Sequence, residues 1–201
     1  MSLLIGVVST AIAAIIGIFL GAISGYYGGK IDNIIMRTLD VFSAIPSLLL
    51  AIAISAAMGT GVLNAMLAIG VATMPAFARM VRGPILSVKE QEYVEAARSI
   101  DASDARIIFK HVLPNVLSPI IIQITINMAG AILAAASLSF LGLGVQAPVP
   151  EWGAMISDAR QYVRQYPYLV ALPGIAIGAV VLSMNLFGDG LRDALDPRLK
   201  D

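Results

Sequence analysis

Residues 41–78 read VFSAIPSLLLAIAISAAMGTGVLNAMLAIGVATMPAFA and contain no ionisable side chain. A bilayer core takes about 20 apolar residues per helix, so this stretch is too long for one crossing and suits two. It divides at Gly59-Thr60-Gly61, where two glycines and a small polar residue favour a tight hairpin. The expected spans are therefore 42–58 and 62–80.

Working outward, the same absence of charge recurs. Nothing ionisable precedes Lys30, only His111 lies between Lys110 and Glu151, and nothing lies between Arg164 and Asp189. Residues 116–136 form a continuous helix-compatible apolar run, whereas 137–150 carry Gly142, Gly144, Pro148 and Pro150, which is loop composition. Five spans follow, at about 3–25, 42–58, 62–80, 116–136 and 168–188. The fold class is all-α and polytopic, with 1–201 a single transmembrane domain. It contains a long polar connection at 81–115 and a second loop at 137–167.

Composition agrees. The chain is 58% hydrophobic and 13% charged, with a mean hydropathy of +0.86, against roughly 45–50% and about 25% for soluble domains. Thirteen Lys+Arg balance thirteen Asp+Glu, so no basic surplus points to nucleic acid. The absence of cysteine and the single histidine, His111, argue against disulfides, thiolate chemistry and a metal site. Basic residues place the connections on sides. Lys30, Arg37, Arg79, Arg82, Lys89, Arg98, Arg106, Lys110, Arg192, Arg198 and Lys200 fall on one side, and only Arg160 and Arg164 on the other. The basic-rich side is expected to be cytoplasmic, with the C-terminus inside and, for five spans, the N-terminus outside. Such parity suggests that an earlier span is missing or that Met1 is not the natural start.

Gly17, Gly21, Gly25 and Gly29 recur every fourth residue, extended upstream by Ala13, and such a stripe of small residues lets another helix backbone approach closely. It predicts a packing face, with a second subunit as one possible partner. Gly29-Lys30 is not a phosphate loop, because Ser24 and Ile31 stand where a first glycine and a magnesium-binding Ser/Thr are required. Pro46, Pro75 and Pro173 each remove a backbone donor in or near a span and predict bends. Gln123 and Asn127, four residues apart, share a helix face in apolar surroundings. They either bond to neighbouring helices or line a translocation path. Trp152 reads as an interfacial anchor.

The connection at 81–115 is dense in ordered polar sequence. Gln91 to Ser99 has helical rhythm. Asp101-Ala102-Ser103-Asp104 then supplies capping residues for a second helix, Ala105 to Val112, closed by Leu113-Pro114. Two short helices meeting at a turn form a knob with small residues Ala96 and Ala97 beside the Glu95 carboxylate. That shape suits insertion into a groove on a partner, with a solvated surface loop as the bland alternative.

Glu95-Ala96-Ala97, three residues, Asp101, nine residues and then His111-Val112-Leu113-Pro114 resembles the EAA motif of ABC-importer permeases, EAA-x3-G-x9-I-x-LP. Further segments resemble the dipeptide/oligopeptide/nickel branch: Gly25-Tyr26-Tyr27-Gly28-Gly29, Ala136 to Val145, Pro150-Glu151-Trp152-Gly153 and Gly188 to Arg198. The chain departs from the motif at Asp101, in place of glycine, and at His111, in place of isoleucine. The resemblance implies the six-span permease fold with its first span absent here. It also implies an importer for peptides or a related small solute such as nickel. Partners implied in the same way are a second permease, two cytoplasmic ATPase subunits that use ATP, and an extracytoplasmic binding protein facing 137–167. Glu95, Ala96, Ala97, Asp101, Leu113 and Pro114 would couple to an ATPase, and this chain would hold no cofactor and perform no catalysis.

Two other classes compete. A stand-alone channel or secondary transporter calls for ionisable residues inside the spans, and within these limits only Arg79, at the very end of 62–80, is one. An intramembrane enzyme calls for a carboxylate pair, HExxH or a serine–base pair at depth, and the sequence supplies none.

Overall fold

The computed structural model describes residues 1–195, and every described element is helical. Nine α-helices follow in order: α1 (Ser2–Tyr27), α2 (Gly29–Ser43), α3 (Ser47–Met58), α4 (Val62–Val88), α5 (Glu92–Ser99), α6 (Asp104–Ile107), α7 (Leu117–Phe140), α8 (Trp152–Ala159) and α9 (Tyr168–Leu195). Among the described residues four helical stretches are long and apolar enough to cross a membrane. These are α1, α4, the stretch Asp104–Phe140 that contains α7, and α9.

The span expected at 42–58 takes a broken form, in which α2 and α3 are long and apolar enough only as a pair. α2 and α3 meet at 84°, and α3, with 12 residues, is only about 18 Å long at 1.5 Å per residue. The break falls at Ala44-Ile45-Pro46. Proline lacks an N–H and drives the residue before it out of the helical region, so the helix stops and restarts with Pro46 as N-cap of α3. The other spans are longer than expected: α4 runs on to Val88 through Pro75 and Pro84, and α9 reaches Leu195 through Pro173.

α1 packs along α4, and the glycine stripe explains how. A methyl group at Gly17 would strike Phe77 Cβ and the Met74 carbonyl. One at Gly21 would strike the Ala78 backbone, and one at Gly25 would come within 2.8 Å of Ile85 Cγ2. The partner is thus a helix of the same chain, not a second subunit. Gly29 leaves the stripe, since it starts α2 after a turn at Gly28 with φ of 65° and has open space beside it.

The ends of the bundle are distinct. Ser55 Oγ donates to the Leu143 carbonyl at 3.1 Å, and the Gly61 N–H donates to the Gly144 carbonyl at 3.2 Å, which ties the α3–α4 turn to the loop after α7. Segment 137–167 is more ordered than loop composition suggests, because α7 continues to Phe140 and α8 folds back against α7 and α9. At the opposite end lie the close of α1, the close of α4, the start of α7 and the knob that joins them.

Candidate functional site: the knob and the groove

The knob grows from the end of α4. α5 (Glu92–Ser99) turns Val94 and Ala97 inward, and Ile107, Ile108, Val112 and Val116 meet them. This apolar cluster continues onto Ala22 and Tyr26 of α1, Val81 and Ile85 of α4 and Ile120 of α7. Knob and inner helix ends therefore share one core. The second knob helix is shorter than expected: α6 spans four residues, capped by the Ser103 hydroxyl, and passes into a π turn at Ile108–Val112 and a 3₁₀ turn at Leu113–Val116. Pro114 explains the break, since it supplies no N–H to an α ladder.

Asp101 has φ of 59°, the only positive φ among described non-glycine residues. Its N–H donates to the Arg98 carbonyl at 2.9 Å, and the Ala102 N–H donates to the Ala97 carbonyl at 3.2 Å. Those two bonds define a Schellman closure of α5 with Asp101 at the left-handed position that glycine usually fills. The motif's glycine is thereby accounted for, and Asp101 stands in its place.

Polar contacts fasten the knob to α1. Tyr26 Oη donates to Asp104 Oδ1 at 2.8 Å, the Arg98 guanidinium lies 5.3 Å from the Tyr26 ring centroid, and Lys89 Nζ donates to the Gly25 carbonyl at 3.0 Å. The expected surface of Ala96 and Ala97 splits, with Ala97 turned into the core and Ala96 exposed. Beside Ala96 a shallow groove is lined by Tyr93, Ile100, Ala102, Arg106, Lys110 and His111. Tyr93 is 42% and Ile100 80% exposed, unusual for large apolar residues on a polar connection. Glu95 is exposed and its carboxylate makes no hydrogen bond within the described residues. Leu113 is half-buried against the shared core, and Pro114 is exposed.

A second feature lies higher in the bundle. A cavity of about 300 Å³ opens between α3, α4 and α7, lined by Ser47, Leu48, Ala51, Thr73, Asn127, Gly130 and Ser137 among others. Asn127 faces it. Gln123 does not line it, although Asn127 Nδ2 donates to the Gln123 carbonyl at 3.0 Å. A four-residue step overshoots a full turn by 40°, enough to separate the two side chains on a narrow wall.

Several polar ties went unread in the sequence. Arg82 binds Asp32 through two bonds, Nε to Oδ1 at 2.6 Å and Nη2 to Oδ2 at 2.5 Å, and the Ser24 hydroxyl also donates to Asp32. Arg79 Nη2 reaches Ser43 Oγ at 2.7 Å, Asp40 Oδ1 at 3.2 Å and the Leu39 carbonyl at 3.4 Å. At the other end Glu151 is 1% exposed. It accepts from Ser2 Oγ at 3.0 Å and caps α8 by accepting from the Ala154 N–H at 2.9 Å. The available signal for the arginines was their place three residues apart near the end of an apolar helix, where ionisable groups are costly without partners. For Glu151 the available signal was its place in the Pro150-Glu151-Trp152-Gly153 segment.

Four long apolar helices, a broken fifth and a polar knob at one end define a polytopic membrane protein. The chain belongs to the binding-protein-dependent transport system inner membrane component family, whose sequence model matches residues 17–201. It is 50% identical over 200 residues to a dipeptide transport system permease protein of Alkalihalophilus pseudofirmus, covering 100% of this chain and 66% of that one. It is 49% identical over 199 residues to a glutathione transport system permease protein of Pectobacterium atrosepticum, covering 99% and 66%. A di/tripeptide transport system permease protein of Pseudomonas aeruginosa is 47% identical over 201 residues, covering 100% and 66%. The chain thus spans 66% of the length of each of these relatives. In fold it is similar to a chain of the MetNI methionine ABC transporter in an inward-facing conformation, with TM-score 0.73 and 20% identity over 97% of this chain and 93% of that one. A chain of an amino acid ABC transporter gives TM-score 0.64 at 17% identity, over 99% and 91%.

Proposed function

We propose that this chain is a permease subunit of an ATP-driven, binding-protein-dependent importer for short peptides or a related small solute. The observation that carries the reading is the knob: a closed unit sharing a core with α1, α4 and α7 while presenting Tyr93, Ala96 and Ile100 outward. Exposed aromatic and aliphatic side chains around an alanine suit the cleft of a protein partner, here a cytoplasmic ATPase subunit. Glu95 offers that partner a free carboxylate. Because the knob and the helix ends share one core, a push on the knob displaces the helices as a body, the coupling that switches a two-state transporter.

On this reading the groove at Asn127 supplies half of a path that a second permease completes. Asn127, Thr73 and the hydroxyls of Ser47 and Ser137 give it polar lining of the kind that hydrated solutes need. Substrate class is proposed from the relatives, two named for peptides and one for glutathione, itself a tripeptide. On this reading the knob faces the cytoplasm, 137–167 faces the binding protein, and ATP is bound by partners alone.

Mild-detergent purification from the native membrane, with mass spectrometry of stoichiometric companions, tests the assembly. Expected are a second permease and a P-loop ATPase, and reconstituted complexes should take up labelled dialanine on addition of ATP and binding protein. A chain recovered without an ATPase partner would overturn the importer reading.

A further inference from the structure

Apolar packing on α2 is thin, with Leu39 its one fully buried residue and Ile35, Met36 and Phe42 half-buried. Apolar burial is what ordinarily holds a short helix in place, so with little of it polar contacts must help fix α2 against the bundle. Two arginines of α4 do so, one at each end. Arg82 takes Asp32 in the first turn through two bonds of 2.6 and 2.5 Å, with side chains only 32% and 14% exposed. Arg79 takes the last turn at the Leu39 carbonyl, Asp40 and Ser43. A guanidinium suits both tasks, because its planar fork matches a carboxylate and its charge complements a helix C-terminus.

The position of these contacts gives them a consequence. Arg79 and Arg82 sit on the half of α4 that runs straight into the knob, and Val81 and Ile85 beside them belong to the knob's core. Beyond α2 the chain bends by 84° into α3, whose first residues Ser47, Leu48 and Ala51 form the wall of the groove opposite Asn127. We propose that α2 is a lever, and that the Asp32–Arg82 joint, backed by Arg79, carries displacement of the knob to the α3 wall of the groove. Asp32, Arg82 and Arg79 are then positioning residues for transport. A bidentate joint resists both sliding and rotation, which a lever needs and an apolar contact gives poorly.

This inference rests on the importer reading and is tested so that the two fail separately. The chain has no cysteine, so spin labels attached at Leu48→Cys and Gly130→Cys, with partner-subunit cysteines removed, report the groove width. In the purified complex, trapping with ATP and vanadate should change that distance. With Asp32→Asn, or with the milder Arg79→Gln on the more exposed contact, the complex should still hydrolyse ATP while the distance change falls by more than half. The exchanged pair Asp32→Arg/Arg82→Asp should recover it. A full distance change in Asp32→Asn would overturn the lever. So would hydrolysis and distance change falling in the same proportion, because that marks a joint needed only for folding. An unsubstituted chain that binds no ATPase would overturn the importer reading itself, and the lever with it.

Discussion

At Asp101 the backbone turns left-handed because α5 must end within one residue for the chain to double back into α6. That conformation costs an L-residue roughly 1–2 kcal/mol, somewhat less for aspartate, and costs glycine nothing. Asp101→Gly should therefore raise the stability of the detergent-solubilised protein by up to about 1 kcal/mol, offset in part by the freer unfolded glycine. Asp101→Val should lower it by about 1–2 kcal/mol, because a β-branched side chain is strained there. Thermal unfolding measures both, and a stable valine variant would refute the strain argument. Partner-stimulated ATP hydrolysis should survive the glycine change, whereas its loss would mean that the Asp101 carboxylate itself is used. Glu95 makes the complementary case: it is exposed and its carboxylate has no hydrogen-bond partner among the described residues, so its side chain contributes little to folding. Glu95→Lys should leave the amount of protein in the membrane unchanged and abolish peptide uptake. Normal uptake would remove Glu95 from the coupling surface.

At the scale of elements, the four-residue glycine spacing in α1 could be read as a packing face, but the face it meets could not. Periodicity names the stripe, and only the fold shows α4 running along it with backbone in direct contact. A side chain at Gly21 would press on the Ala78 carbonyl, which has no rotamer to yield. Gly21→Leu should thus cost about 3 kcal/mol, the upper range for overfilling a packed core. Gly178→Ala on α9, beside open space, should be neutral or gain up to about 1 kcal/mol from its helix propensity. Equal melting temperatures for the two variants in detergent would contradict the packing. Other elements were legible in different degrees. Charge-free gaps located α1, α4, α7 and α9, because the bilayer imposes one length on every crossing. At 42–58 the same gap located α3 but not the bend before it. Apolar content there could not reveal that Pro46 would divide the segment, or that α2 would need Arg79 and Arg82 to hold it. Helical rhythm located α5, but the expected docking surface included Ala97, which the fold turns inward with Val94, and the π turn at Ile108–Val112 has no pattern of its own in the sequence. The final part of the quoted resemblance, Asp196 to Arg198, lies outside the described residues.

For the whole molecule the open question is which end faces the cytoplasm, and the fold sharpens it. The knob and segment 137–167 lie at opposite ends of the bundle. Lys30, Arg37, Lys89, Arg98, Arg106, Lys110 and Arg192 gather at the knob end with Arg79 and Arg82, while Arg160 and Arg164 lie at the other. Asp32 and Asp40 neutralise two of these arginines, but that does not weaken the argument, because orientation follows the basic residues themselves and not net charge. An ATPase can reach the knob only if that end is cytoplasmic, so orientation and function stand or fall together. Single cysteines at Ser99 in the knob and Gln161 after α8, both exposed, can be read against a cysteine-free background. A membrane-impermeant maleimide added to spheroplasts should label the Gln161→Cys variant and leave Ser99→Cys at background. Permeabilisation should make both react. Labelling of Ser99→Cys in sealed spheroplasts would place the knob outside, where no ATP-hydrolysing partner could dock, and would remove the physical basis for coupling through Glu95 and Ala96.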